Sequence, residues 1–139
     1  MKFSKDQIEA IAYMFERELG YKHSNYEIEA IVNSGLEGQP TVELAAALRN
    51  GIEGSIYKEA DRTSVYWALT KRHDQALIPF FQKQLAFELK TDSQKPIYQL
   101  LIALSNLEED VFGQDRGGSS ADFERELNIR DAQNYLNRL

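Results

Sequence analysis

The sequence predicts an all-α protein built from antiparallel helical hairpins. Three observations lead there. Apolar residues recur at three- and four-residue steps along most of the 139 positions, which is the spacing of one helix face. Two Ser-x-x-Gln/Glu pairs, Ser4 with Gln7 and Ser24 with Glu27, stand at the heads of such stripes as capping boxes do. No stretch sustains the alternation that a half-buried strand requires.

The first helix opens at Ser4, with Phe3 and Ile8 at the separation of a hydrophobic staple. Ile8, Ile11, Ala12, Phe15 and Leu19 form its stripe, and Gly20 is placed to end it in a left-handed turn. The second starts at Ser24 with Ile28, Ile31 and Val32 as its apolar face, and Gly35 and Gly38-Gln39-Pro40 break the chain after it. Thr41 is the expected cap of a third helix, Val42 to Asn50, with Leu44, Ala45 and Leu48 inward and Gly51 as its stop. Residues 51–62 read as a bend. Asp61 or Thr63 would cap the next helix, which carries Val65, Ala68 and Leu69. Trp67, the only tryptophan, is expected to pack between neighbouring hairpins.

His73-Asp74 makes a turn, and Asp74 would cap a helix over Gln75–Leu89, bent by Pro79 about one turn in. Leu77, Ile78, Phe81, Leu85 and Leu89 define its buried stripe, widened by Phe80 and Phe87. Pro96 suits the first position of the next helix, whose core side is Ile97, Leu100, Leu101, Leu104 and Leu107. Residues 108–126 then read as a mobile acidic loop with seven acids and two arginines, in which Val111 and Phe112 anchor a short helix. Asn128 with Asp131 opens a last helix, apolar at Ala132, Tyr135, Leu136 and Leu139.

Length and composition bound the function. The chain suits one domain, residues 1–139. It has no cysteine, so disulfides and thiolate metal sites are excluded. Its net charge of -6 disfavours nucleic acid or an anionic membrane as partner and suits a basic protein. The start of the chain lacks an apolar secretory core, and no apolar run reaches the roughly 20 residues of a membrane span. The expectation is a cytoplasmic protein that acts as a monomer.

The stretch Thr63–Leu107 carries an internal echo. Ala68-Leu69 recurs as Ala103-Leu104, 35 positions on, and Asp74 and Leu77 match Glu109 and Phe112 at the same offset. With the turn at His73-Asp74 and Ala76-Leu77-Ile78-Pro79 opening a second helix, this stretch resembles HEAT-like helical repeats. The resemblance implies a short α-solenoid of stacked hairpins, a scaffold whose output is a surface. Small, acidic, cysteine-free helical chains of this kind also resemble bacterial immunity proteins of contact-dependent growth inhibition and other polymorphic toxin systems. That second resemblance implies a protein that binds a cognate toxin domain, a basic nuclease, and neutralises it. The alternative is a helical-repeat scaffold or adaptor with a different cellular partner.

Acidic and aromatic residues that could lure and anchor a basic partner cluster late in the chain: Glu108, Glu109, Asp110, Phe112, Asp115, Asp122, Phe123, Glu124 and Glu126. Tyr21 and Tyr26, near Glu27 and Glu29, form a second candidate. Catalysis finds no motif. His23 and His73 stand alone in expected turns with no His-x-x-x-His or Glu-x-x-His pair, so neither a metal nor a cofactor is expected. No nucleophile elbow or phosphate-binding glycine loop is present. The chain reads as a binding protein, not an enzyme.

Overall fold

The computed structural model describes residues 2–116 and 124–139. The described residues form seven α-helices and two short 3-10 turns and contain no strand. The all-α class read from the sequence is therefore the class observed. By internal contacts the chain divides into two compact units, Met1–Arg72 and His73–Leu139.

The first unit holds α1 (Lys5–Glu18), α2 (Asn25–Ser34), α3 (Thr41–Glu53) and α4 (Glu59–Thr70). Both expected capping boxes form, at Ser4/Gln7 and Ser24/Glu27, and Phe3 and Ile8 are buried as a staple requires. α1 packs against α2, α3 and α4. It buries Ile8, Ala10, Ile11, Ala12, Met14 and Phe15, more than one stripe, which is why it occupies the centre. Leu19 falls just past its end and stays half exposed.

Several expectations need correction here. α2 buries Ile31, but Ile28 and Val32 point to solvent. α3 starts at Thr41 itself, with Pro40 at the N-cap position and no side-chain cap. It also runs through Gly51, which is buried inside the helix. A Cβ on Gly51 would stand 2.4 Å from Cε2 of Tyr57, so the glycine makes room for an aromatic ring and does not stop the helix. Tyr57 is itself buried, and its Oη accepts from the Phe3 amide at 3.1 Å, tying the bend back to the chain's start. α4 begins at Glu59 behind Lys58, ahead of both expected caps. Trp67, half-buried, meets Tyr13 of α1 edge-on at 6.5 Å between ring centres.

The second unit holds a 3-10 turn at Gln75–Leu77, then α5 (Ile78–Lys90), α6 (Gln94–Asn106) and α7 (Arg125–Asn137), the three helices packing pairwise. Asp74 does cap, but it caps the 3-10 turn, accepting from the Ala76 amide at 2.9 Å. Because α5 starts only at Ile78, Pro79 lies in the first turn, where no hydrogen bond is lost and no bend is forced. Pro96 is the third residue of α6, still within the turn whose amides have no helical partner. The core includes Phe81, Leu85, Ile97, Leu100, Leu101, Leu104 and Ala132, while Phe87 is exposed.

No helix forms at Val111-Phe112, where a short one is the expectation from sequence, and residues 117–123 of the expected acidic loop lie outside the described residues. Val111 is buried, the Asp110 carbonyl accepts from Arg138, and a 3-10 turn forms at Gln114–Arg116. α7 begins three residues before Asn128, so Asn128 and Asp131 are interior positions, both buried. No helix among the described residues is long and apolar enough to cross a membrane.

Candidate functional site

The most distinctive surface of the first unit is an acidic cleft between α1 and α2. It has a volume of about 470 Å³ and is lined by Ser4, Asp6, Gln7, Glu9, Tyr26, Glu29, Ala30, Asn33 and Ser34. Three carboxylates and no cationic side chain line it. The capping boxes build it: Ser4 starts α1 so that Asp6 and Glu9 face α2, and Ser24 starts α2 so that Tyr26 and Glu29 face back. Gln7 ties the floor by donating from Nε2 to the Ser34 carbonyl at 3.3 Å.

Glu9 is the hub of this wall. Tyr13 and Tyr26 both donate a phenol hydrogen to its Oε1, at 2.6 Å and 3.2 Å. The two phenols respond in kind. Burial first, then the Glu9 carboxylate, holds Tyr13 above the ordinary tyrosine range, and the charge of Glu9 raises exposed Tyr26. Each stays a neutral donor that steadies the carboxylate. Tyr26 is 65 % exposed despite this bond, so its ring is a large apolar surface beside negative charge. On the same helix Ile28 and Val32, one turn apart, are also exposed, but they lie on the face turned away from the cleft and do not line it.

The second unit places the late acidic and aromatic candidates differently from one another. Glu109 accepts from the Tyr135 hydroxyl at 2.6 Å. Asp115 takes two donors from Arg130, each at 2.7 Å, and that guanidinium holds its carboxyl below the usual carboxylate range. Glu124 lies 3.7 Å from Arg116. Phe112 is half-buried, its ring 6.4 Å from that of Tyr98 and under the Arg116 guanidinium. Glu108, Asp110 and Glu126 are exposed, and Glu126 sits in the first turn of α7, where the helix dipole favours it. Asp122 and Phe123 lie outside the described residues.

No protein-family model matches this chain, and no curated protein or solved structure matches it either.

Among the predicted residues, then, Glu109, Asp115 and Glu124 are engaged within the protein, and Glu108, Asp110 and Glu126 project outward. The α1–α2 cleft was only half visible in the sequence. Tyr26, which with Tyr21 stands near Glu27 and Glu29, is readable as a candidate because an aromatic stands among acids. Asp6 and Glu9 carry no such signal, because their helix reads as an ordinary amphipathic one with a charged outer face. Among the described residues, the side chains able to share a metal ion are Glu16, His23 and Glu27. Glu16 lies two turns along α1 from Glu9, on the same stripe.

Proposed function

We propose that this protein is a binding protein of the immunity type, which uses its acidic α1–α2 cleft to seize a basic toxin domain and block it. The observation that carries the reading is the cleft itself: Asp6, Glu9 and Glu29 converge with no cation among the lining residues, beside the exposed ring of Tyr26. A lysine or arginine from a partner would meet three carboxylates there, and the Tyr26 ring would supply apolar area beside the contact. A net charge of -6 steers a basic domain such as a nuclease toward the surface and speeds its encounter. Glu108, Asp110 and Glu126 add to that field. In this reading the chain binds and does not catalyse, and its work is done in the cytoplasm.

The HEAT-like array belongs to the same proposal. Two features support it. Ala68-Leu69 and Ala103-Leu104, the echoed pairs, are all fully buried. His73 and Glu108, again 35 positions apart, both take left-handed backbone angles, φ 49° and 67°, just beyond their helices. An adaptor would share this architecture, so protection is what separates the two. The test is co-expression of the chain with each polypeptide encoded beside its gene, scored by growth. Wild-type protein rescues cells from one toxic neighbour, and the triple variant Asp6→Asn, Glu9→Gln, Glu29→Gln does so poorly. Absence of rescue from every neighbour would remove the immunity reading.

A further inference from the structure

We infer that Glu16, His23 and Glu27 form a binding site for a divalent transition-metal ion of the zinc class. The inference is independent of the partner proposed above. It rests on how three side chains are aimed: Glu16 from α1, His23 from the turn after it and Glu27 from the first turn of α2. The His23 side chain is only 4 % exposed. Its Nε2 lies 2.8 Å from the Tyr13 carbonyl oxygen, which can only accept, so Nε2 carries a hydrogen and donates it. That bond turns Nδ1 toward the two carboxylates. A backbone carbonyl holding one imidazole nitrogen while the other faces the metal is the usual outer-shell arrangement of a ligating histidine.

Glu27 is aimed as firmly. Its Oε1 accepts from the Ser24 amide and hydroxyl, both at 2.9 Å. The capping box therefore uses one oxygen and leaves Oε2 facing His23 Nδ1 at 3.2 Å. Glu16 brings the third donor, and all three ligand atoms lie within 4.8 Å of one another. Ligands held about 2.0–2.2 Å from a tetrahedral zinc stand roughly 3.3–3.5 Å apart. The His23–Glu27 pair, at 3.2 Å, is close to that separation, and Glu16 would have to draw in from within 4.8 Å. Side-chain exposures of 21 % and 27 % for Glu16 and Glu27 leave an entry path and room for a water in the fourth position. One imidazole and two carboxylates suit zinc, cobalt or manganese better than calcium, which wants six or more oxygens. Lys71, whose Nζ is 4.0 Å from Glu16 Oε2, would give up that contact and keep its place over the Trp67 ring.

Trp67 supplies the readout, since the sole tryptophan packs on Tyr13, the residue whose carbonyl orients His23. Full-length protein is treated with a chelator, dialysed, and titrated with zinc, then with cobalt, following tryptophan emission and the visible bands of bound cobalt. The expected result is one saturable equivalent, with emission quenched by cobalt and tetrahedral cobalt bands appearing. His23→Ala should abolish binding. Glu16→Gln should weaken it at least about tenfold, the loss that follows even from removing a group that only orients a ligand. If His23→Ala does not fold, Glu16→Gln decides, because Glu16 is part-exposed and outside the core. No binding below about 100 µM metal, an affinity already far short of biological sites of this kind, would overturn the inference. So would an adventitious ion only, recognised by unchanged affinity in Glu16→Gln.

Discussion

Arg116 and Asp131 form an ion pair at 2.7 Å, with side chains 9 % and 2 % exposed. Asp131 does more than pair with one arginine. It also accepts from the Gly113 amide at 3.1 Å and from Arg130 at 2.8 and 3.0 Å, while Arg116 donates its other terminal nitrogen to Asn128 at 2.7 Å. The segment leaving α6 is thereby fastened to α7.

Removing the acceptor should therefore cost more than one contact. Asp131→Ala takes the carboxylate from the buried Arg116 and an acceptor from the Gly113 amide, while Arg130 keeps its pair with Asp115, and breaking a buried pair from one side costs about 3–5 kcal/mol. Urea unfolding followed by helical circular dichroism measures it. The pH dependence has a definite sign. Burial pushes the Asp131 carboxyl up, but the combined donors from Arg116, Gly113 and Arg130 outweigh it and leave the group below its usual range. A folded value below the unfolded one gives stability that is full above about pH 4 and is lost as pH falls through the folded value. The gap between wild type and Asp131→Ala should hold at neutral pH and close in acid.

Gly51→Ala should destabilise, against the usual rule. A glycine inside a helix ordinarily costs about 1 kcal/mol relative to alanine. Here the new methyl would meet the Tyr57 ring at 2.4 Å, and the ring cannot move freely because Phe3 donates to its hydroxyl. Overpacking of this kind costs about 1–3 kcal/mol, enough to cancel or exceed the helix gain. Pairing the change with Tyr57→Leu, in the same unfolding assay, should relieve the clash and restore part of the loss.

Tyr135 is a third test. Its Oη accepts from Gln82 at 2.8 Å and donates to Glu109 at 2.6 Å. Burial, with a smaller push from Glu109 and against the Gln82 bond, raises its phenol to about 12. A raised folded value means stability that is complete below the ordinary tyrosine value of 10.0 and lost as pH climbs from there toward 12. Tyr135→Phe should delete a late step from the phenolate absorbance titration. At neutral pH it should cost about 1–3 kcal/mol by leaving Glu109 and Gln82 unpartnered.

Local signals survived translation into structure best. Ser4 with Gln7 and Ser24 with Glu27 gave correct helix starts because a capping box is written within four residues. Long-range causes stayed hidden. Gly51 looks like a helix stop until Tyr57 is seen against it, and Asn128 with Asp131 looks like a cap until Arg116 arrives from twelve and fifteen positions away. His23 reads as a lone turn histidine because Glu16 lies seven positions upstream, a spacing that matters only once the chain reverses. Likewise, Asp6 and Glu9 become one wall of a cleft only when α2 folds back along α1.

The proposed role of the α1–α2 cleft is to bind a basic protein through charge. The most direct measurement is the association rate of the immobilised full chain with each neighbouring gene product at about 50 and 300 mM salt, a range over which screening changes strongly. One basic polypeptide is expected to bind with nanomolar affinity. Its association slows at high salt and slows comparably in Asp6→Asn, Glu9→Gln, Glu29→Gln with the helical signal intact. Binding indifferent to both salt and that triple substitution, or no binding by any neighbour, would contradict it.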